Sequence, residues 1–497
     1  MKKSRNTFLL TAALCLPMLS NALGPIGDLP EASEATMECI LCHEMATPGI
    51  VSDWQSSRHA RVTPAEAMKA DELERRISAT TLPDELAATT VGCYECHGLN
   101  TDAHADTFEH FGYQINLVVS PPDCATCHPV ESGQYADSKK AHAIANLRNN
   151  PVYHALETEV IGVKSIEDGV LLSNPPSPHT QGEACYACHG TELTFNGIKT
   201  IDTDFGEIEV PDLSNWPNAG VGRINPDGSK GACTSCHPRH GFSIEVARKP
   251  YTCAQCHVEP DVPAYDVWKE SKHGNIVLSD SAKYDWSAVP WKLGYDFNAP
   301  SCATCHNALL TDPSGGEVIA ERTHNFGDRL WLRIFGLPTS HPQPIHGNTT
   351  TLRNADNQPL PVTFNGQLAE SGLIDAATME NRQAAMSAIC RGCHSTDWVN
   401  GHFAQFDAEV KEVDQMVLMT TQLMQQAWDT GLADPENPFD EPLEHLWINQ
   451  WLINANAIRY ASAMNGQDFA AFKYGWWGIS QTMARMHQQI KSAQEKK

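Results

Sequence analysis

The sequence predicts a mainly α fold in which short helices and long loops are followed by a C-terminal bundle of long helices. Two patterns in the 497 residues support this prediction. A Cys-x-x-Cys-His motif recurs along most of the chain, joined by connections rich in Gly, Pro and Asn and without an evident strand-turn-strand series. Beyond the last motif, apolar residues recur at the steps of one helical face.

The motif occurs eight times and uses sixteen of the seventeen cysteines. Covalent c-type haem requires this spacing, because the two sulfurs attach to the vinyl groups and the adjacent imidazole ligates the iron. Disulfides and zinc sites give no reason for a histidine to follow every second cysteine. The sequence therefore predicts eight covalently bound c-type haems, around which the first part of the chain folds. The predicted attachment sites are Cys39/Cys42/His43, Cys93/Cys96/His97, Cys124/Cys127/His128, Cys185/Cys188/His189, Cys233/Cys236/His237, Cys253/Cys256/His257, Cys302/Cys305/His306 and Cys390/Cys393/His394.

The N-terminus "MKKSRNTFLLTAALCLPMLSNA" combines a basic start, a short apolar run and a small-residue end, which is typical of a secretory signal peptide. It contains Cys15, the cysteine outside the motifs. No later segment has the roughly 20 apolar residues of a membrane span. We therefore predict a periplasmic protein with three parts: a signal peptide at 1–22, a haem-packed domain at 23–375 with motifs one to seven, and a domain at 376–497 with the last motif and the C-terminal helices.

The C-terminal part predicts three helices. The first carries an apolar stripe and ends at Gly431 and the prolines that follow; the second and third cover about 442–463 and 468–494. The stripe is expected to pack in the core or against another subunit. Its members are Phe403, Phe406, Val410, Val413, Val417, Met424 and Trp428.

The net charge and the histidine content limit the possible functions of the protein. A formal charge of −25 excludes nucleic acid as a plausible partner and is compatible with a redox partner that has a basic docking surface. Eight of the 22 histidines belong to motifs, which leaves fourteen. A haem with two histidine ligands can only pass electrons, whereas a catalytic haem must keep one side open. The supply of histidine allows seven electron-carrying haems and one open haem.

Several stretches resemble the octahaem hydroxylamine oxidoreductase family. The longest is "WPNAGVGRINPDGSKGACTSCHPRHGFSIEVARKPYTCAQCHVEPDVPAYDVWKESKHG" at 216–274. "VVSPPDCATCHP", "APSCATCHNA", "RTHNFGDRLWLR" and "CRGCHS" match further segments in the same order, and "RYASAMNGQDFAAFKYGWW" resembles the C-terminal motif. The resemblance covers essentially all of the chain after the signal peptide.

The resemblance implies a mainly helical homotrimer in which seven haems are bis-histidine and the fourth is catalytic, with His189 as its proximal ligand. It also implies distal ligands at six positions. A seventh stays open among His104, His154, His179, His346 and His402. The six implied distal ligands are His59, His110, His142, His240, His273 and His324.

Two departures from the family bear on the direction of the reaction. Oxidising members carry an Asp-His pair after the sixth motif, where this sequence has Asp261 followed by Val262. They also crosslink the catalytic porphyrin with a tyrosine, and Phe469 stands at that position here. Tyr460 and Tyr474 are close enough in sequence to supply a crosslink in a shifted register.

An uncrosslinked haem resembles the reductive members, so the favoured interpretation is reduction of nitrite or hydroxylamine to ammonium. The substrate nitrogen is expected at the iron of His189, with Asp261 as proton donor or relay. Arg223 and Arg239 are expected to pair with haem propionates or to attract an anionic substrate. The expected redox partner is a small cytochrome or a membrane quinol dehydrogenase.

Three alternatives remain. The first is oxidation of hydroxylamine, and the second is a pure electron-transfer cytochrome without an open iron. The third is reduction of a sulfur oxyanion, as in the octahaem tetrathionate reductases, which the 216–274 resemblance disfavours.

Overall fold

The computed structural model describes residues 29–203 and 206–495, and the predicted signal peptide with Cys15 lies outside them. The described chain is mainly α-helical, as the sequence predicts. The predicted boundary at 375/376 falls immediately before the helix Ala376–Arg391 and stays a prediction. None of the described helices combines the length and apolarity needed to cross a membrane.

Up to residue 375 the helices are short, and the longest has 13 residues. Many begin with proline, whose fixed φ suits the first helical position, or follow a serine whose side chain caps the first turn. Their bounds are Glu34–Ala46, Pro48–Ser56, Arg58–Arg61, Pro64–Ala67, Asp84–Ala87, Cys93–His97, Pro121–Ala125, Pro129–Ala136, Ala143–Arg148, Pro151–Ile161, Pro178–Glu183, Cys185–His189, Ile244–Arg248, Pro250–Cys253, Ala264–Glu270, Lys272–Asp280 and Cys302–His306.

The C-terminal part contains the longest described helix, Thr396–Asp429 with 34 residues. The predicted second helix contains a π-helical turn, and the predicted third helix divides in two around Gly475. A side chain at Gly475 would collide with the carbonyl oxygen of Ala470, so the chain needs glycine where it turns between the two helices. The bounds are Ala376–Arg391, Thr396–Asp429, Pro442–Ile448, Asn449–Asn454 (π), Ala455–Met464, Gln467–Ala471 and Trp476–Gln494.

Three antiparallel hairpins lie among the short helices, although the sequence reading found no strand-turn-strand series. The hairpin at 163–174 turns at Asp168 and Gly169, both with positive φ, which is the preference of a two-residue Asp-Gly turn. The hairpins are Thr107–His110 with Tyr113–Asn116, Val163–Glu167 with Val170–Asn174, and Thr194–Thr203 with Gly206–Ser214. Smaller pairings join Trp291–Lys292, Leu310–Thr311 and Val318–Ala320, and Leu332–Arg333 with His341–Pro342.

The predicted apolar stripe lies in the core of the C-terminal helices. Val413, Val417 and Met424 are completely buried and pack with Trp447 and Ile479. Loop residues from the haem-motif part, such as Leu337 and Leu360, complete this core. The C-terminal helices therefore provide a conventional apolar core beside the part of the chain that carries the motifs.

A buried ion pair links this core to the loop at 334–340. Arg459 is completely buried; its Nε donates to Asp414 Oδ1 at 3.1 Å, and its Nη2 forms a shorter contact with the same oxygen. Arg459 Nη1 also donates to the carbonyl oxygen of Ile334 at 3.1 Å. Asp414 in turn accepts a hydrogen bond from the backbone N–H of Ser340 at 3.3 Å. Removal of the guanidinium would leave a largely buried carboxylate without its charge partner.

We expect Arg459→Met to lower the free energy of unfolding by about 3–5 kcal/mol, the usual cost of breaking a buried pair from one side. The measurement is the urea midpoint of the haem-loaded protein followed by circular dichroism. Lys411→Met, on an exposed position of the same helix as Asp414, is the control. The double variant Arg459→Met/Asp414→Leu should regain part of the loss; an equal loss in the control would contradict the ion-pair explanation.

Candidate haem centre

One cavity of about 2730 Å³ runs through the described chain, and each of the eight motifs contributes to its lining. Apolar and aromatic side chains supply much of the remaining wall, including Phe108, Phe242 and Trp268. The sixteen motif cysteines form no disulfides and are at least partly exposed, and all of them except Cys42 line the cavity. The cavity therefore brings all eight motifs to one continuous interior.

Cys42 is the one motif cysteine that does not line this interior. Cys39 and His43 of the same motif line the cavity, whereas Cys42 is exposed to solvent. The cause is the position of the helix Glu34–Ala46, which lies at the surface and buries only a narrow face. Leu41, the neighbour of Cys42 on the outer face, is 68% exposed. Haem attachment at Cys39 and Cys42 stays a prediction.

The motifs share one local geometry, which follows from their spacing. The N–H of the histidine donates to the carbonyl oxygen of the first cysteine, as from His257 to Cys253 at 2.9 Å and from His394 to Cys390 at 2.9 Å. This single helical turn puts the two sulfurs near each other, because residues three apart are neighbours on a helix. The imidazole then follows directly, as covalent haem attachment requires.

Several motif histidines also have a fixed ring orientation. His189 Nδ1 lies 3.2 Å from the carbonyl oxygen of Ala143, and His97 Nδ1 lies 2.7 Å from that of Asn116. An Nδ1–H that donates to a carbonyl leaves Nε2 free for a metal, and this outer contact is usual for ligating histidines.

Four of the six implied distal histidines face a motif histidine across the cavity. Two imidazoles on opposite sides of one iron, each bound at about 2.0 Å, would have ring centroids roughly 6 Å apart. The centroid separations are close to this value in all four pairs. They are 6.3 Å for His43 and His110, 6.4 Å for His59 and His128, 6.5 Å for His237 and His324, and 6.0 Å for His273 and His394.

The other two implied distal histidines differ from each other. His240 lines the cavity near His97; burial and then the charge of His97 lower the pKa of His240. His142 does not line the cavity and instead stands immediately before the helix Ala143–Arg148. Within the described residues, no histidine ring contacts the rings of His189, His257 or His306 at the distances seen in the four pairs.

Cysteines of different motifs approach one another closely, which defines the order of the motifs in space. In each of four pairs, a hydrogen bond between thiols raises the pKa of one cysteine and lowers that of the other. Motif four lies next to motif six. The seven motifs other than motif four follow one another in space in the order one, two, three, five, six, seven and eight. The four pairs are Cys39 with Cys93, Cys124 with Cys233, Cys188 with Cys256, and Cys253 with Cys302. Charge interactions of Cys96 with Cys127, Cys236 with Cys253, and Cys305 with Cys390 supply the remaining steps.

Polar side chains gather around motif four. The carboxylate of Asp261 is exposed to the cavity. Burial is the largest cause that raises the pKa of Cys185, and the bond to Cys256 is the largest cause that raises the pKa of Cys188. The charge of Asp261 raises both pKa values further. Burial, opposed in part by the charge of Arg333, raises the pKa of Tyr460 to about 12, so this phenol keeps its proton at neutral pH. Sequence reasoning did not single out Arg333, although it ends the segment "RTHNFGDRLWLR", because it lies in the short strand Leu332–Arg333 far from Cys185 in sequence.

The two positions considered for a porphyrin crosslink have different surroundings. Phe469 is completely buried among Val267, Ala457 and Ala461 and does not line the cavity. Tyr474 is 39% exposed on the surface, whereas Tyr460 lines the cavity. Of the residues considered for the crosslink, the phenol nearest to motif four is therefore Tyr460.

The arginines named from the sequence both line the cavity. Arg223 is buried and its Nη1 donates to the carbonyl oxygen of Asn218 at 2.9 Å. Arg239 stacks over Trp216, and its buried Nη2 has no hydrogen-bond partner. An orphaned guanidinium nitrogen is costly in a protein interior, and a haem propionate would satisfy it. The residues present thus fit covalent haem at the cavity-lining sulfurs, at the paired imidazoles and at a cationic contact.

Of the five histidines considered for the seventh distal position, His104 contacts carboxylates instead. Its Nε2 lies 3.2 Å from Asp123 Oδ2 and its Nδ1 lies 3.4 Å from Asp106 Oδ1. Burial opposes the charged imidazole, but the bonds to Asp106 and Asp123 and the charge of Asp227 outweigh it and raise the pKa of His104 to about 10. This imidazole is therefore a buried cation. The remaining four are placed as follows: His402 lines the cavity beside Trp398, and His154, His179 and His346 are exposed.

Comparison with known proteins agrees with this centre. A family described as "Seven times multi-haem cytochrome CxxCH" matches 225–318, and the family "Cytochrome c554 and c-prime" matches 123–207. A probable nitrite reductase-hydroxylamine oxidoreductase fusion protein of Kuenenia stuttgartiensis is 24% identical over 288 residues. That match covers 54% of this chain and only 25% of the relative, so this chain spans about a quarter of that protein's length.

Two solved structures share the fold. A hypothetical multiheme protein aligns with a TM-score of 0.89 and 42% identity, over 94% of this chain and 97% of its own. The reducing HAO-like protein complex of Kuenenia stuttgartiensis aligns with a TM-score of 0.60 and 17% identity, over 93% and 86% of the two chains, which shows a common fold. Fold and motifs define a multihaem c-type cytochrome, a class that carries covalently bound haem iron. Within this class, the chain belongs to the same family as the hypothetical multiheme protein. The proteins with hydroxylamine oxidoreductase-like names are similar to it at lower identity.

We expect His324→Ala to open one coordination position at the iron held by His237, because the two rings face each other at 6.5 Å. Electron paramagnetic resonance of the ferric protein should show one low-spin haem converted to a high-spin haem. His487→Ala, at an exposed position of the helix Trp476–Gln494, should leave the spectrum unchanged. An unaltered count of low-spin haems in His324→Ala would show that another group ligates this iron.

The pKa of His104, raised from an ordinary 6.5 to about 10, makes stability depend on pH. The contribution is complete below about pH 6.5 and disappears as pH rises through about 10. We expect His104→Gln to lower the free energy of unfolding by about 2–5 kcal/mol at pH 6 and by less at pH 10.5. Thermal midpoints at both pH values measure this, with His346→Gln as control; a loss independent of pH would exclude the buried cation.

Proposed function

We propose that the chain is a periplasmic octahaem cytochrome that reduces nitrite, hydroxylamine or both to ammonium at the haem of motif four. The observation that carries the proposal is the set of acidic and phenolic groups beside motif four. The ring of His189, like those of His257 and His306, has no facing histidine among the described residues. The names of the fusion-protein relative and of the reducing HAO-like complex support a nitrogen compound as substrate. The other seven haems would carry electrons.

The haem iron at His189 would supply the open coordination position and the electrons for cleavage of N–O bonds. The chain's own residues would position substrate and deliver protons, which every N–O cleavage consumes. The Asp261 carboxylate lines the cavity near the Cys185 and Cys188 attachment points and is the candidate proton relay. The Arg333 guanidinium and the protonated Tyr460 phenol would hold an anionic or N–O ligand by charge and hydrogen bonding.

The reductive direction is supported by Phe469 and Val262. Phe469 lacks a phenol oxygen and is packed in the core, away from the cavity. Val262 removes the imidazole that would otherwise follow Asp261. A porphyrin without a crosslink lacks one of the distortions by which a protein tunes a haem, and in this family that crosslink accompanies oxidation.

Electron supply and assembly complete the proposal. The acidic chain would receive electrons from a small cytochrome or a membrane quinol dehydrogenase that presents a basic surface. The proposed homotrimer requires an interface between subunits, and the hairpin Val163–Glu167 with Val170–Asn174 offers one, because Ile166 and Leu171 are 75% and 64% exposed. Apolar patches of this kind mark interfaces.

The direct test is an assay of the haem-loaded protein with a reduced dye and nitrite, then hydroxylamine, and then hydroxylamine with an oxidant. The proposal requires ammonium formation in the first two reactions and a faster reductive than oxidative turnover. Mass spectrometry of the haem peptide of motif four should show a porphyrin without a tyrosine bond. A Tyr460 or Tyr474 crosslink with faster oxidation would reverse the direction, and eight six-coordinate irons would indicate an electron-transfer cytochrome.

We expect Asp261→Asn to lower kcat for hydroxylamine reduction by about tenfold or more, since a positioned acid contributes at least this much to proton transfer. Lower pH should partly restore the rate. Asp212→Asn, on the exposed hairpin Thr194–Thr203 with Gly206–Ser214, is the control. Unchanged kcat in Asp261→Asn, with the haem spectrum intact, would remove this residue from proton delivery.

A further inference from the structure

Three of the serine-capped turns in the described chain share one sequence pattern: serine, a basic residue, histidine or lysine, and then alanine or glycine. Each of the three lies a short distance after a motif. In the first copy, Ser57 Oγ accepts the N–H of Ala60 at 3.3 Å, and His59 lies between them. In another copy, Ser271 Oγ accepts the N–H of Gly274 at 3.1 Å, and His273 lies between them. The histidine two residues after the serine faces a motif histidine in both copies.

The remaining copy has lysine at the equivalent position. Ser138 Oγ lies 3.5 Å from the N–H of Ala141, and the residue two after the serine is Lys140. Ala141 is completely buried, as Ala60 is. The small residue after the ligand position allows the turn to pack closely in each copy. Local structure therefore places Lys140 where His59 and His273 stand in the other copies.

Lys140 also reaches a motif histidine. Its Nζ lies 2.8 Å from Nε2 of His257, which is the nitrogen that motif six offers to its iron. Lys140 lines the cavity, whereas His142, two residues further on, does not. His257 has no facing histidine ring within the described part of the chain.

From these contacts we propose that Lys140 Nζ, and not His142, is the sixth ligand of the motif-six haem iron. Two metal–nitrogen bonds of about 2.0 Å span about 4 Å, so the amine must withdraw by roughly 1 Å from its contact with Nε2. The flexible four-carbon stem of lysine allows this movement. Ligation requires the neutral amine, and binding to iron releases the proton. The inference rests on haem attachment at Cys253 and Cys256 and not on the direction of catalysis.

The test uses ferric, haem-loaded full-length protein and near-infrared magnetic circular dichroism, in which the charge-transfer band distinguishes histidine–amine from bis-histidine coordination. The wild type should show one histidine–amine haem. Lys140→His should convert that one signal to the bis-histidine type. Lys140→Arg keeps the positive charge but cannot ligate, because guanidinium stays protonated. It should raise the number of high-spin haems by one and add one site for carbon monoxide in the ferrous state.

Two controls separate ligation from other roles. Lys272→Ala, exposed beside the distal-position His273 of another copy, should leave all signals unchanged. His142→Ala should also leave the histidine–amine signal in place. The proposal is overturned if the wild type lacks this signal, or if His142→Ala, and not Lys140→Arg, opens an additional iron. Because the readout is the change in one coordination sphere, it is independent of whether motif four turns out to be catalytic.

Discussion

The helical turn of each motif, which places two cysteine sulfurs and one imidazole where covalent haem requires them, is the constraint on which the rest of the structure depends. Each turn is suited to fix one porphyrin by two sulfurs three residues apart, as at Cys185 and Cys188. The first part of the chain has little regular structure of its own: helices of 13 residues or fewer are joined by loops around a cavity to which all eight motifs contribute. Isolated helices of this length are marginal in water, so the cofactors must supply much of the packing.

The C-terminal helices are stabilised by apolar side-chain packing. Their core consists of side chains such as Val417, Met424 and Trp447, and a buried arginine on Ala455–Met464 holds them to a loop of the haem-carrying part. This arrangement brings Tyr460, the next residue, to the cavity wall beside motif four. The apolar bundle thus positions a phenol at the candidate site even though it carries only the last motif. A substitution at Arg459 would therefore disturb the site as well as the core.

Sequence patterns predicted what is encoded locally. The motifs, the mainly α class and the long amphipathic helix of the C-terminal part all follow from residue spacing, and the described structure agrees with them. The hairpin at Asp168 and Gly169 carried a readable turn signal, but its strands expose apolar residues on both faces and lack the alternation that marks a half-buried strand.

Contacts created by the fold were beyond such patterns. The pairing of His59 with His128, or of His237 with His324, joins residues 69 and 87 positions apart, which no local rule connects. Arg333 and Lys140 were missed for the same reason, and the exposure of Cys42 depends on where its helix lies in the fold rather than on the spacing of its motif.

The position of motif six suggests what the proposed replacement of histidine by Lys140 would change. Motif six neighbours motifs four, five and seven through its cysteines. In the proposed octahaem enzyme, electrons would therefore reach motif four through motif six. Axial-ligand identity is a principal lever on haem potential, so a primary amine in place of imidazole would distinguish this haem from its bis-histidine neighbours. Replacing one side chain in a repeated serine-capped turn would set the potential at the branch point while the backbone of the turn and the spacing of the motifs stay the same.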